Sequence, residues 1–237
     1  MTILAEQSLA SIVTTHHETV AVLEKYHLDF CCKGKRTLLQ ACTEKGLTVE
    51  DIIQELEASV CTTGKTNMPV AGMDAAQLIG HILLYHHFYV RQSMPAIEEH
   101  LMKVAAKHGD RFTYMKNVLE LFTQLKREMS QHMQKEEMIL FPRIKEVESF
   151  SKYAQQQAWE QSYIYNPVCV IENEHDEAGF AMEQIRLLTG NYTAPAEACT
   201  TFKVVMDELR IFEEDLHQHV HLENNILFPM VKKMMPE

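Results

Sequence analysis

The chain has 237 residues, 46% of them hydrophobic and 23% charged, with a net charge of −11 at pH 7. This composition excludes a disordered chain, and the acidic balance excludes a nucleic-acid partner, which needs clustered Lys and Arg to neutralise phosphates. No apolar run approaches the roughly 20 residues of a spanning helix, and "MTILAEQSLASIVTTHH" lacks the basic start of a signal peptide, so no membrane partner is expected.

Six Cys without a dense regular framework suit a reducing compartment, and a cytoplasmic location is expected. With few Gly and Pro, the sequence predicts an all-α chain. To about residue 60 it predicts a small helical unit. Thr15 is placed to cap "HHETVAVLEKYH", and Thr48 with Asp51 starts "VEDIIQELEAS" in capping-box fashion. Between them "DFCCKGKRTL", Asp29 to Leu38, reads as a turn entering a short helix. "VCTTGKTNMPVAG", with Gly64, Pro69 and Gly72, has the composition of a linker. The division expected is a vicinal-cysteine unit over 1–61, a linker over 62–72 that lets it move, and a larger domain over 73–237.

Four long helical patterns follow. The first starts at the cap Asp74, contains Pro95, which should kink it, and stops at Gly109. The second covers about Thr113 to Glu148, with Pro142 in its last turns. After an irregular stretch containing Trp159, Tyr163 and Tyr165, to which packing roles are assigned, the third runs from about Val168 to Leu188. The fourth covers about Pro195 to Met234, with Pro229 placed as Pro142 is. Long helices with short connections predict an up-down four-helix bundle.

The second and fourth helices share a repeat. "HMQKEEMILFP", from His132, returns 87 residues later as "HVHLENNILFP", from His219. Residues four apart share a helix face, so His132 with Glu136 and His219 with Glu223 each pair an imidazole with a carboxylate. His175 in "IENEHDEAG" precedes His219 by 44 residues, and 45 residues before His132 stands His87 in "LLYHHFYV". The spacing favours His87, with His86 about 100° around the helix. Two hairpins, each with one lone His and one His-x-x-x-Glu, would bring four imidazoles and two carboxylates to the bundle centre. Two metals could each take two His, with both Glu bridging, an oxide or hydroxide completing the bridge, and one position left open on each. Such a donor set favours iron over calcium or magnesium, while affinity order alone leaves zinc, copper and manganese open. Six buried polar groups without a cation would strain the fold, since each unpaired group costs roughly 1–3 kcal/mol.

His16, His17, His27, His81, His100 and His108 lack such support and are assigned exposed or supporting roles. Of His217, His219 and His221, only His219 carries Glu at +4 within the repeat. Cys31 and Cys32 are adjacent, so a disulfide between them would be strained and easily reduced. Lys33, Lys35 and Arg36 should favour the thiolate, giving a redox or iron-relay role. Cys42, Cys61, Cys169 and Cys199 are expected to pack.

On "DFCCKGKRTL", "SQHMQKEEMILFP", "ENEHDEAG", "PAEACTTFK" and "HVHLENNILFP", over nearly its whole length, the chain resembles the Repair of Iron Centres family. These are iron–sulfur cluster repair proteins with a haemerythrin-like domain. The resemblance implies two non-haem irons on His87, His132, His175 and His219, with Glu136 and Glu223 bridging. Family members carry a His six residues before the first ligand, as His81 precedes His87, which supports His87 over His86. Four His, where oxygen-carrying haemerythrins typically use five, speaks against simple oxygen carriage. Lys33 stands where a Gly commonly follows the two Cys, a departure that bears on the turn presenting them. The function implied is repair of clusters damaged by oxidative or nitrosative stress through labile iron. Its partners would be iron–sulfur client proteins or an apo-scaffold, and the chain a monomer or homodimer. The alternative is a di-iron redox enzyme or sensor that binds nitric oxide or oxygen, with nitric oxide reduction as a side activity.

Overall fold

The computed structural model describes residues 3–63, 70–152 and 160–235; residues 64–69, within the expected linker, and Trp159 lie outside them. Helix α1 (Leu9–Thr15) is capped by the Ser8 hydroxyl, which accepts from the Ser11 N–H at 3.2 Å. Thr15 does not cap the next helix. It ends α1, and its hydroxyl donates back to the Ser11 carbonyl at 2.8 Å, the usual bond of Thr inside a helix. A 3₁₀ turn (His17–Thr19) leads into α2 (Val20–Lys25). The cysteine loop then enters α3 (Leu38–Lys45) through a Thr37–Gln40 capping box, and Gly46, at φ 67°, closes the helix. Helix α4 (Val49–Thr63) begins directly after Thr48.

In the bundle, Asp74 and Gln77 form the capping box of α5 (Ala75–Ile82). The next free amides, Ala75 and Ala76, donate to the buried carboxylate of Glu148 at 2.9 and 3.1 Å. One π-helical turn, Leu83–His87, joins α5 to α6 (Phe88–His108), which runs through Pro95. Helix α7 (Tyr114–Lys135) passes through a second π turn, Glu136–Leu140, into α8 (Phe141–Lys152). Helix α9 (Ser162–Leu188) starts earlier than Val168 because Pro167 is tolerated inside it. Proline leaves the carbonyl four residues back without its helical donor; here that carbonyl, on Tyr163, accepts from Arg143 Nη1 at 3.0 Å. Helix α10 (Thr200–Leu222) starts later than Pro195, and a third π turn, Glu223–Leu227, leads into α11 (Phe228–Lys232).

Helices α6, α7, α9 and α10 pack in a closed ring, each against two others. The apolar residues of the bundle and the segments that extend its helices form two separate cores. The first runs from Val90 and Leu101 through Phe122, Met133 and Met182 to Phe212 and Val220. The second holds Ile79, Ile82, Leu140, Phe141, Ile171, Leu227 and Phe228. Between the two lies a layer of buried polar side chains.

The small unit is docked on the bundle. Leu9, Ile12, Phe30 and Cys31 belong to the first core, and Asn225 Nδ2 donates to the carbonyls of Phe30 and Cys31 at 3.3 and 3.1 Å. His217 reaches Glu24 across the same boundary at 2.8 Å. Cys42 and Cys199 pack as expected, but Cys61 and Cys169 are exposed. Among the described residues, no helix is long and apolar enough to cross a membrane.

Candidate metal centre

The polar layer consists of the repeat and its counterparts. His87, His132, Glu136, His175, His219 and Glu223 are all buried, and His87, Glu136, His219 and Glu223 have no exposed surface at all. Their donor atoms fall into two groups: His87 and His219 with both Glu, and His132 and His175 with the same two Glu. His86 belongs to neither. Its Nδ1 faces Asp215 at 2.9 Å, and its ring stacks on His219 with 5.6 Å between centroids.

The spacing of these donors suits cations. His87 and His132 Nε2 lie 3.3 and 3.4 Å from Glu136 Oε2. His175 and His219 Nε2 lie 3.0 and 3.1 Å from Glu223 oxygens. Donors about 2.1 Å from a shared ion stand roughly 3.0–3.4 Å apart. His87 Nε2, both Glu136 oxygens and Glu223 Oε2 are buried without a hydrogen-bond partner. Leaving such groups unsatisfied is costly, and a pair of cations would satisfy all of them. The residues present therefore fit a two-ion centre.

The local fold explains how the sequence builds it. Glu136 and Glu223 each open a π turn, and His87 closes one. A π turn carries one residue more than an α turn, which re-aims the side chains around it. Each "FP" restarts the α-helix after such a turn, where proline's missing N–H is tolerated. Phe141 stacks on His87 and Phe228 on His175, with centroids 5.7 and 6.3 Å apart. The repeated "ILFP" thus serves as an apolar lid over two of the imidazoles.

Outer partners orient the rings. Nδ1 of His87 faces Glu137 at 2.7 Å, Nδ1 of His132 faces Glu174 at 3.0 Å, and Nδ1 of His175 faces Asn224 at 2.9 Å. Arg91 and Lys135 back the two carboxylates. Such contacts leave Nε2 free to face the interior and raise the basicity of the ring. None of the three partners was singled out from sequence, although Glu137 and Asn224 follow the paired Glu in both copies of the repeat. His219 Nδ1 has no partner.

The Hemerythrin HHE cation binding domain matches residues 78–231, and an N-terminal domain of unknown function (DUF542) matches residues 5–60. "Iron-sulfur cluster repair protein YtfE" of Cronobacter sakazakii is 37% identical over 224 residues, covering 94% of this chain and 95% of that protein. The proteins of the same name from Citrobacter koseri and from Escherichia coli are each 35% identical, covering 94% of this chain and 96% of theirs. The chain belongs to the YtfE family.

The vicinal cysteines, within the stretch matched by that N-terminal domain, sit beside the centre. Cys32 Sγ lies 3.5 Å from the His175 carbonyl. It also lies 3.5 Å from where a Cβ on Gly179 would stand, an ordinary contact distance, so the thiol packs directly against the Gly of "ENEHDEAG". The Lys33 amide takes part in the turn. Asp29 Oδ1 accepts from the backbone amides of Cys31, Cys32 and Lys33 at 3.1, 3.0 and 3.3 Å. The expectation of a thiolate favoured by basic neighbours is overturned at Cys31. A hydrogen bond with Cys32, burial and the Asp29 carboxylate all push its thiol well above the usual range.

Electrostatics in this YtfE-family centre predict a pH effect. Burial, reinforced by neighbouring imidazoles, lowers His87 and His132 from 6.5 to about 4, so both are neutral at pH 7. Burial and the charge of Glu223 raise Glu136 well above its ordinary value. Burial works to raise Glu223 too, but His219 and His175 outweigh it and hold Glu223 well below. Of the two carboxylates, Glu136 is thus the one that holds a proton more readily. Each lowered imidazole binds protons more readily in the unfolded chain. Its contribution to stability is complete above about 6.5, is lost as pH falls towards 4, and levels off below, on the order of 3 kcal/mol per group. Thermal unfolding of chelator-treated protein across this range checks it, and a flat midpoint would contradict neutral burial.

Proposed function

We propose that the chain repairs iron–sulfur clusters damaged by oxidative or nitrosative stress, with two non-haem irons, oxo- or hydroxo-bridged, as both centre and cargo. The observation that carries this reading is the sharing of both carboxylates, Glu136 and Glu223, by two His-pair groups. The name of the relatives, "Iron-sulfur cluster repair protein YtfE", supports the choice of reaction. His87, His132, His175 and His219 would ligate the irons through Nε2. Glu137, Glu174 and Asn224 hold three of these rings, and Phe141 and Phe228 keep water off two. Iron bound there would supply open coordination positions. The clients are iron–sulfur proteins or an apo-scaffold, and no conventional turnover is required. The two family matches support a division into a 1–61 unit and a 73–237 bundle joined through 62–72. Cys31 and Cys32 serve as relay groups, in keeping with the docking of Cys32 against the His175 backbone.

A purified enzyme with an oxidised, inactive cluster tests the reading. Iron-loaded protein should restore its activity, whereas Cys31→Ser/Cys32→Ser protein should keep its iron but restore activity several-fold more slowly. No recovery with fully loaded parent protein would overturn the reading.

A second reading is binding or reduction of nitric oxide or oxygen. A mainly apolar cavity of about 50 Å³, lined by His17, Phe30, His81, His86 and His221, supports it. Its size suits a diatomic molecule, and the ring of His86, which lines it, stacks on His219. Steady nitrous oxide formation with an electron donor would favour it.

A further inference from the structure

We propose that Asp29, Cys31 and Cys32 form a second, mononuclear site for a thiophilic divalent cation, distinct from the two-ion centre and opening to solvent through its own cleft. One oxygen and two sulfurs of these residues lie close enough together to share an ion. The two Sγ atoms stand 3.7 Å apart. Sulfurs about 2.3 Å from a tetrahedral cation stand about 3.8 Å apart, so this edge is already set. Asp29 Oδ1 lies 3.2 Å from Cys31 Sγ. The matching edge for oxygen and sulfur is about 3.6 Å, which needs an opening of only a few tenths of an ångström.

The backbone holds this arrangement in place. Asp29 Oδ1 ties three successive amides, and Asn225 holds the Cys31 carbonyl at 3.1 Å. A Cβ on Gly34 would stand 2.2 Å from the Phe30 carbonyl oxygen, so the loop closes only with glycine there. A disulfide needs the sulfurs about 2.05 Å apart, a closure of well over an ångström against these ties. A cation needs almost none. The placement of a carboxylate against a buried thiol, unfavourable for a bare thiolate, is favourable once a cation lies between them. Binding would release the thiol protons to solvent.

The three donors line one wall of a cleft of about 520 Å³ between the small unit and the bundle, whose lining mixes acids such as Asp176 and Glu183 with bases such as Lys33 and Arg186. An ion there has a path to solvent and a free coordination position facing the cleft. Through Cys32 it would lie one backbone carbonyl from His175. Ion binding stands on these donors alone; a role in passing iron rests on the repair reading.

Cd²⁺ is the probe, because its thiolate complexes absorb in the ultraviolet. It is added anaerobically to full-length protein whose two-ion centre is already loaded with iron. One further Cd²⁺ per chain is expected, with thiolate charge-transfer absorption and no loss of iron. Cys31→Ser/Cys32→Ser should abolish the band, and Cys32→Ser alone should about halve it. Asp29→Asn keeps an oxygen for the three amides but removes the charge, so it should retain the band with affinity lowered at least tenfold. Absence of the band in the parent, or a band of full strength in the double variant, would overturn the site. Cluster recovery measured separately distinguishes the two proposals, since a Cd²⁺ site without repair activity counts only against repair.

Discussion

Changing Glu136 to alanine is expected to empty both ion positions together, lowering the retention of each by more than tenfold. The carboxylate belongs to both donor groups, as does Glu223, so no single-ion site survives its loss intact. His175→Ala removes a donor from one group only and should first weaken one ion. The effect on stability should reverse with loading. In metal-free protein Glu136 is a fully buried carboxyl whose oxygens lack partners, so its removal should leave stability unchanged or raise it. In loaded protein the same change discards the stabilisation contributed by bound ions and should lower the melting temperature. Metal analysis with thermal unfolding, with and without chelator, measures both. Full occupancy of one position in the Glu136 variant would contradict bridging. His86 cannot serve as a neutral control, because its ring stacks on His219; His100, paired with Glu208 at 2.8 Å, can.

Phe228→Ala should cost about 3–5 kcal/mol of unfolding free energy, the usual range for a fully buried aromatic ring. The cavity would lie beside His175, whose ring runs within 6° of parallel to that of Phe228. Metal retention should therefore fall as well, through loss of dry packing rather than of a donor. Phe228→Leu should retain most of both, since volume and apolar character are largely kept. Ile139, 46% exposed within the other copy of the repeat, provides the contrast. Its change to alanine should shift stability by no more than about 0.5 kcal/mol. Chemical denaturation of the three variants checks the order, and equal costs for Phe228→Ala and Ile139→Ala would show that the phenylalanine is not a lid.

The paired His and Glu were legible because duplication wrote them twice at one offset, and the first bundle helix because Asp74 and Gly109 punctuate it by local chemistry. The π turns were not. An i to i+5 bonding pattern has no composition of its own, and it becomes visible only where Glu136 and Glu223 need re-aiming. Pro167 misplaced the start of α9 because its compensation, Arg143, comes from another helix. Burial of His221 and half-burial of His217 were hidden for a similar reason: Phe30 and Glu24, which meet them, belong to the small unit. Cys31 was misjudged by counting charges along the chain. Lys33, Lys35 and Arg36 are nearby in sequence, while the groups that meet its sulfur are Cys32 and Asp29.

The polar layer between the two apolar cores bears on cooperativity. Each core can hold its own residues together, but the plane joining them contains several buried imidazole and carboxylate atoms without a hydrogen-bond partner. Ions ligated at one level of the bundle would act as rivets through that plane. Loaded protein then melts as a single block, the small unit included, because Phe30 and Cys31 are part of one core. Stripped of ions, the chain should unfold less cooperatively, with the end carrying Phe141 and Phe228 expected to loosen first.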